Sequence, residues 1–129
     1  MAPQPERRGP AAGARRGRDR QATDSSARDL RALAQQAERH RSDPDQQARL
    51  LRRAAGGDGE AETRLFNEHL GLVIRLARAH LDSEGAGLNE DELIQEGSIG
   101  LIAAIRSFPE SQAADFEAYA ADQVRAQMA

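Results

Sequence analysis

The stretch DELIQEGSIGL, residues 91 to 101, crowds acids and an amide beside isoleucines and sets two glycines among them. Projected at about 3.6 residues per turn, residues 90 to 107 place Leu93, Ile94, Gly97, Leu101, Ala104 and Ile105 on one side of a helix. The opposite side collects Glu92, Gln95, Glu96, Ile99, Ile102, Ala103 and Arg106. The first side is a core face. The second mixes carboxylates with two isoleucines, a composition that suits a partner presenting basic and apolar side chains together. A solvated face is the plainer reading of Gln95 and Glu96 alone, and single exposed isoleucines are ordinary. Glu92 has a local explanation as well: it lies three residues after Asn89, the spacing of a capping box, and with Asp91 it suits the positive end of the helix dipole. Each helical glycine costs roughly 1 kcal/mol relative to alanine, so Gly97 and Gly100 point to close packing against a neighbouring helix.

Covalent and metal chemistry find little support. The chain has no Cys, and His40, His69 and His80 lack the two-histidine spacing of a helical metal site. All three read as surface or boundary residues. No nucleophile, base and orienting group can be assembled, so an enzyme is not expected, and neither is a metal or other cofactor. Gly56 and Gly57 have neither a preceding strand nor a Gly-Lys-Ser/Thr ending, and they read as a helix stop rather than a phosphate loop.

The elements that carry these residues are helices. With 39% hydrophobic residues, three Phe, one Tyr and no Trp, the core of this 129-residue chain has to come from Leu, Ile, Val and Ala. That favours packed helices over a sheet. Residues 1 to 26 hold Pro, Gly and Arg without apolar periodicity and are expected to be a disordered tail. Residues 27 to 57 read as short helices leading into the core: Leu30, Leu33, Ala34 and Ala37 form a narrow stripe, Pro44 interrupts it, and a second helix runs through Leu50 and Leu51. Residues 58 to 129 form the expected core domain. In it Phe66, Leu70, Val73 and Ala77 make one row with Leu65, Leu72 and Leu76 beside it, a stripe broad enough to touch two helices. A second helix runs from about Glu90 to Ser107 and is broken at Pro109. A third, roughly Gln112 to Met128, shows Phe116, Tyr119, Ala120 and Val124 on one side. The fold class is therefore all-α, a small three-helix core with one or two short helices ahead of it.

Charge is divided unevenly. Residues 1 to 20 hold six Arg against two acids, and residues 21 to 129 hold twelve Arg against nineteen. The leading Arg run is either a solvated leader or an electrostatic arm toward nucleic acid. It has no aromatic residue for base stacking. No segment approaches the roughly 20 apolar residues of a membrane span, and no signal peptide is visible, so a cytoplasmic protein without membrane contact is expected.

The runs GDGEAETRLFNEHLGLVIRLARAHL, DELIQEGSIGLIAAIRSF and FEAYA, in this order and spacing, resemble region 2 of bacterial RNA polymerase sigma factors of the sigma-70 family. The resemblance covers about Asp45 to the C-terminus. It implies the region 2 helical fold and docking of the helix that carries DELIQEGSIGL on the clamp coiled coil of the largest polymerase subunit. The positions implied are Glu92, Gln95, Glu96, Ser98 and Ile102, and the projected face adds Ile99. Glu92 stands where the family usually has Asp, and Ser98 where it usually has Asn. On the DNA side the resemblance implies Phe108, Phe116, Tyr119 and Arg125, toward the promoter's minus-ten element. There the sequence reads YAADQVRAQMA, with Asp122 and Gln123 in place of the family's tryptophans. From the residues alone, Phe108 and Phe116 read as core, Tyr119 as half-buried and Arg125 as a helix C-terminal cation.

Because the sequence ends at Ala129, the rest of the promoter-reading helix and the region for the minus-thirty-five element are expected to be missing. The resulting expectation is a region 2 protein that binds core polymerase, nucleoid-associated when so bound, and takes part in initiation with a second sigma-like subunit supplying the remaining promoter recognition. The alternatives are a sigma mimic that excludes active sigma factors, and a truncated relic without function.

Overall fold

Asp43 and Pro44 begin a helix rather than interrupt one. The Asp43 carboxylate accepts the Gln46 N–H at 2.8 Å, and the Gln46 side chain accepts the Asp43 N–H at 3.1 Å. Pro44 takes the first helical position, where its missing N–H costs nothing. The structure, a computed structural model, describes residues 28–84 and 87–129; the tail expected over residues 1 to 26 lies outside them. Helical residues 28–39 form α1, and Pro44–Ala55 form α2. Of the stripe expected on α1, Ala34 is buried, Ala37 half-buried and Leu33 exposed.

The paired glycines end α2. Gly57 has φ +100, which only glycine adopts without strain, and the Asp58 N–H returns to the Arg53 carbonyl at 3.0 Å. Asp58 then starts α3 (Gly59–Glu84), its Oδ1 accepting the N–H groups of Glu60 and Ala61 at 3.0 and 3.2 Å. The Ala61 N–H, and after it the Arg53 guanidinium, hold this carboxyl below its ordinary range.

Along α3, Ala61, Leu65, Leu70, Val73, Ile74 and Ala77 are buried, while Phe66, Leu72 and Leu76 are half-buried. His69 corrects the expectation of three surface or boundary histidines: it is 3% exposed, and its neighbour Glu68 is 4% exposed. The imidazole Nδ1–H donates to the Leu65 carbonyl at 2.8 Å, leaving Nε2 as an acceptor for Arg41 and Gln47, each at 3.3 Å. Burial pushes His69 below the usual histidine range, and the nearby Arg41 cation adds to the effect. The Glu68 carboxylate accepts the Ser42 N–H, so the link between α1 and α2 is tied to the middle of α3.

The next helix, α4 (Glu90–Ser111), buries Leu93, Ile94, Gly97, Gly100, Leu101, Ala104 and Ile105. This is the core side given by the projection. It does not stop at Ser107 as expected, but continues one turn through Pro109 and closes at Gln112, whose φ is +63. Pro109 sits close to the helix end and removes one backbone bond. The extra turn is held by Phe108, packed edge-on to Phe116 at 5.3 Å, and by the Ser111 hydroxyl donating to the Phe108 carbonyl at 2.7 Å. Accordingly α5 (Phe116–Met128) starts later than expected, capped by Asp115, which accepts the Glu117 N–H at 3.0 Å.

Packing of α3, α4 and α5 on one another, with α2 against α3 and α4, makes the all-α core. No strand occurs among the described residues. Leu65, Leu70, Leu101 and Ile105 are fully buried, each contributing roughly 1.5–3 kcal/mol of apolar burial. Arg31–Ala129 form one unit, and helical residues 28–30 belong to a leading one.

Candidate functional site

The outward side of α4 begins at a fixed N-terminus. The Asn89 side chain accepts the N–H groups of Asp91 and Glu92 at 2.8 and 3.3 Å. The reciprocal half of a capping box is not formed, so the Glu92 side chain is left exposed instead of folding back. Glu90 anchors the same turn from beside the face: it accepts Arg31 of α1 at 2.8 Å and Arg78 of α3 at 3.4 Å. Burial alone would raise the Glu90 pKa, but the two guanidinium groups outweigh it and lower it.

From that anchor the face runs outward. Glu92, Gln95 and Glu96 are exposed, Ile99 is 54% exposed, and Ser98 and Ile102 are half-buried. The Glu92 and Glu96 side chains form no hydrogen bond or ion pair among the described residues. Ile99 is one of the few large apolar side chains left open to solvent. The far end closes on an ion pair, Arg106 to Glu62 of α3 at 2.6 and 3.3 Å. Free carboxylates, an amide and an aliphatic surface thus lie on one backbone fixed at both ends. Such a face can accept guanidinium or ammonium groups while burying an apolar side chain between them.

Behind it the two glycines set the spacing. A Cβ on Gly100 would lie 2.6 Å from the Gln123 carbonyl oxygen and 3.0 Å from Val124 Cα. One on Gly97 would meet Met128 Cε at 2.5 Å and Val73 Cγ1 at 2.8 Å. The backbones of α4 and α5 touch at Gly100 because it has no side chain, and at Gly97 the same absence lets the side chains of Val73, Val124 and Met128 close in.

The four residues implied for DNA separate into core and surface. Phe116 is 3% exposed and lies edge-on between His69 at 4.9 Å and Phe108 at 5.3 Å. Phe108 is half-buried and leans on Tyr119 at 5.7 Å. Tyr119 is half-buried, with its hydroxyl 2.7 Å from Ser107 Oγ. The Ser107 hydroxyl already donates to the Ala103 carbonyl at 2.7 Å, so the Tyr119 phenol is the donor. Arg125 is exposed but pairs with Asp122 at 3.4 Å. Phe116 and Phe108 therefore support Tyr119 from below, and Arg125 shares its exposed surface with the Asp122 carboxylate.

Sequence reasoning singled out neither Glu90 as an anchor nor the Tyr119–Ser107 bond, both of which depend on residues far apart in the chain. No group of three or more His, Asp or Glu side chains that could hold a metal occurs among the described residues. No helix among them is long and apolar enough to cross a membrane.

Comparison with known proteins matches the sequence of this site to a known family. The family model for sigma-70 region 2 matches residues 65–128. An RNA polymerase sigma factor SigA from Bacillus sp is 37% identical over 76 residues, covering 59% of this chain and 19% of that protein. SigA of Listeria monocytogenes serovar 1/2a is 36% identical over 76 residues, 59% of this chain and 20% of its own. SigA of Clostridium acetobutylicum is 34% identical over 77 residues, 60% and 20% respectively. The chain spans about a fifth of the length of these relatives. The matched stretch holds the exposed face of α4, its glycine-backed contact with α5 and the Tyr119 cluster, and through it the chain belongs to the sigma-70 family as a region 2 protein.

Proposed function

We propose that the chain docks on core RNA polymerase through the outward face of α4 and takes part in transcription initiation as a non-enzymatic factor. The observation that carries this is the unpaired acidic and apolar surface of Glu92, Gln95, Glu96, Ile99 and Ile102, with Ser98 at its edge, on a helix fixed at both ends. Its complement is the clamp coiled coil of the largest subunit. Ile99 supplies the apolar centre, and the carboxylates around it set orientation and encounter rate. Tyr119, backed by Phe108 and Phe116 and accompanied by Arg125, faces promoter DNA in this reading, with a second sigma-like subunit providing the remaining promoter recognition. A photo-crosslinking amino acid at position 99 of the full chain tests it: the expected product is an adduct with the largest polymerase subunit. Crosslinking to no polymerase subunit, from a folded protein, would contradict it.

One observation favours a second reading. Asp122, whose side chain is 77% exposed, pairs with Arg125 at the surface and sets a carboxylate beside the surface where DNA would pass. A protein that docks on polymerase and repels promoter DNA would act as a sigma mimic, occupying the clamp without opening promoters.

A further inference from the structure

The Glu68 side chain, in the first half of α3, is only 3% exposed. Its Oε1 accepts the Ser42 N–H, but its Oε2 is buried with no hydrogen-bond partner among the described residues. The Arg64 guanidinium, one turn earlier on the same helix, comes no closer than 4.0 Å, and then to Oε1, the oxygen already engaged. A glutamine at this position would hold the Ser42 N–H with its amide oxygen. Burying a carboxylate oxygen without a donor is costly. Tying the link between α1 and α2 to α3 therefore does not account for an acid here, and an orphaned buried acceptor calls for a donor from elsewhere.

Glu68 lines an open groove of about 1110 Å³ between the end of α1, the turn from α2 to α3 and the first turns of α3. The turn keeps the groove wide, because a Cβ on Gly57 or Gly59 would meet nothing within 4 Å. Asp58 and Glu60 add two further acids to the lining, against Arg64 as the one arginine among its described residues. Asp58 is engaged with the N-terminus of α3 and with Arg53, while Glu60 is exposed. Asn67, half-buried in the same lining, offers an amide oxygen one residue from Glu68. The groove is larger than one side chain needs and has an excess of acceptors, which suits a basic segment of a protein better than a small ion.

We infer that this groove is a docking site for an arginine of a partner protein, whose guanidinium donates to Glu68 Oε2 and whose aliphatic stem lies along the wall that includes Ala37. A planar fork of N–H donors can meet the carboxylate and the Asn67 amide oxygen together, which a single ammonium does less well. Arg64, whose side chain is 50% exposed, is the cation that the incoming guanidinium displaces from beside Glu68. No residue of α4 lines the groove among the described residues, so this site stands independently of the polymerase-docking reading.

The test is a proton–nitrogen correlation NMR titration of the full chain with N-acetyl-arginine amide, beside its neutral isostere N-acetyl-citrulline amide. The arginine amide should give saturable shifts at the amides of Ala37, Thr63 and Asn67, and the citrulline amide none. Glu68→Gln should weaken the binding about tenfold, the loss expected for a hydrogen bond to a charged group. Arg64→Ala should strengthen it by removing the competing cation. Thr63→Trp fills the groove from an exposed position with Glu68 intact and should abolish the shifts, so the inference stays testable if Glu68→Gln does not fold by circular dichroism. Shifts that grow without saturation and equally at Glu92 and Glu96 of α4 would show charge screening only and overturn the inference. So would a silent groove, the result expected if a bridging water alone satisfies Glu68, or a folded Glu68→Gln that binds as wild type does.

Discussion

His69 shows how one side chain joins three segments of this molecule. In its neutral form it donates to Leu65 and accepts from both Arg41 and Gln47, so a second proton would turn Nε2 from an acceptor into a donor facing two donors. The folded state holds its pKa below the usual value near 6.5, through burial first and Arg41 after it. The unfolded chain therefore takes up this proton at higher pH than the folded one. Stability from neutral His69 is complete above about 6.5 and declines as pH falls toward the lowered folded value. Thermal unfolding followed between pH 8 and pH 5 should show the midpoint falling below about pH 6.5, with a flatter profile in His69→Gln. Asp58 and Glu90, also held low, contribute only at more acidic pH. A profile in His69→Gln as steep as that of wild type would show that this histidine does not titrate in the transition. A signal for its burial was present in the sequence, because Leu65, His69 and Val73 follow at intervals of four. A histidine in such a row is compatible with either face, and only the donors from α2 and the preceding linker decide the matter.

At the scale of the element, α4 was the most legible and also misread at one end. Its core side followed from periodicity, since every residue assigned to that side is buried. The requirement for close packing followed from the energetic cost of Gly97 and Gly100. The partner did not: α5, not α3, lies against Gly100, with backbone atoms that cannot move aside as a side chain can. Gly100→Ala should accordingly destabilise the protein by about 1–3 kcal/mol despite the better helix propensity of alanine. Gly97→Ala should cost less, because the end of the flexible Met128 side chain can shift, although Val73 remains in the way. Urea unfolding of both variants checks the order, and a stabilised Gly100→Ala would refute the close-packed contact. The C-terminus of α4 was misplaced because Pro109 is a strong local stop signal, while the packing of Phe108 on Phe116 that carries the helix past it is tertiary.

The whole molecule divides its surface by charge. The acidic and apolar face of α4 stands on a body in which α3, α4 and α5 each hold more acids than arginines. Net charge at this scale was visible from composition, but its assignment to faces required knowing which arginines are paired. The same holds for the DNA-side residues: Asp122 was conspicuous in the sequence, whereas its pairing with Arg125 and the bond of Tyr119 to Ser107 emerged only with α5 in place. The central claim is that the outward side of α4 docks on polymerase. It is tested most directly by competition between the purified chain and a full-length sigma factor for core RNA polymerase, with wild type beside Gln95→Ala/Glu96→Arg. The account predicts that wild type displaces the sigma factor and that the variant, still folded, loses at least tenfold in affinity, about 1.4 kcal/mol. Equal displacement by both proteins, or none by either, would contradict it.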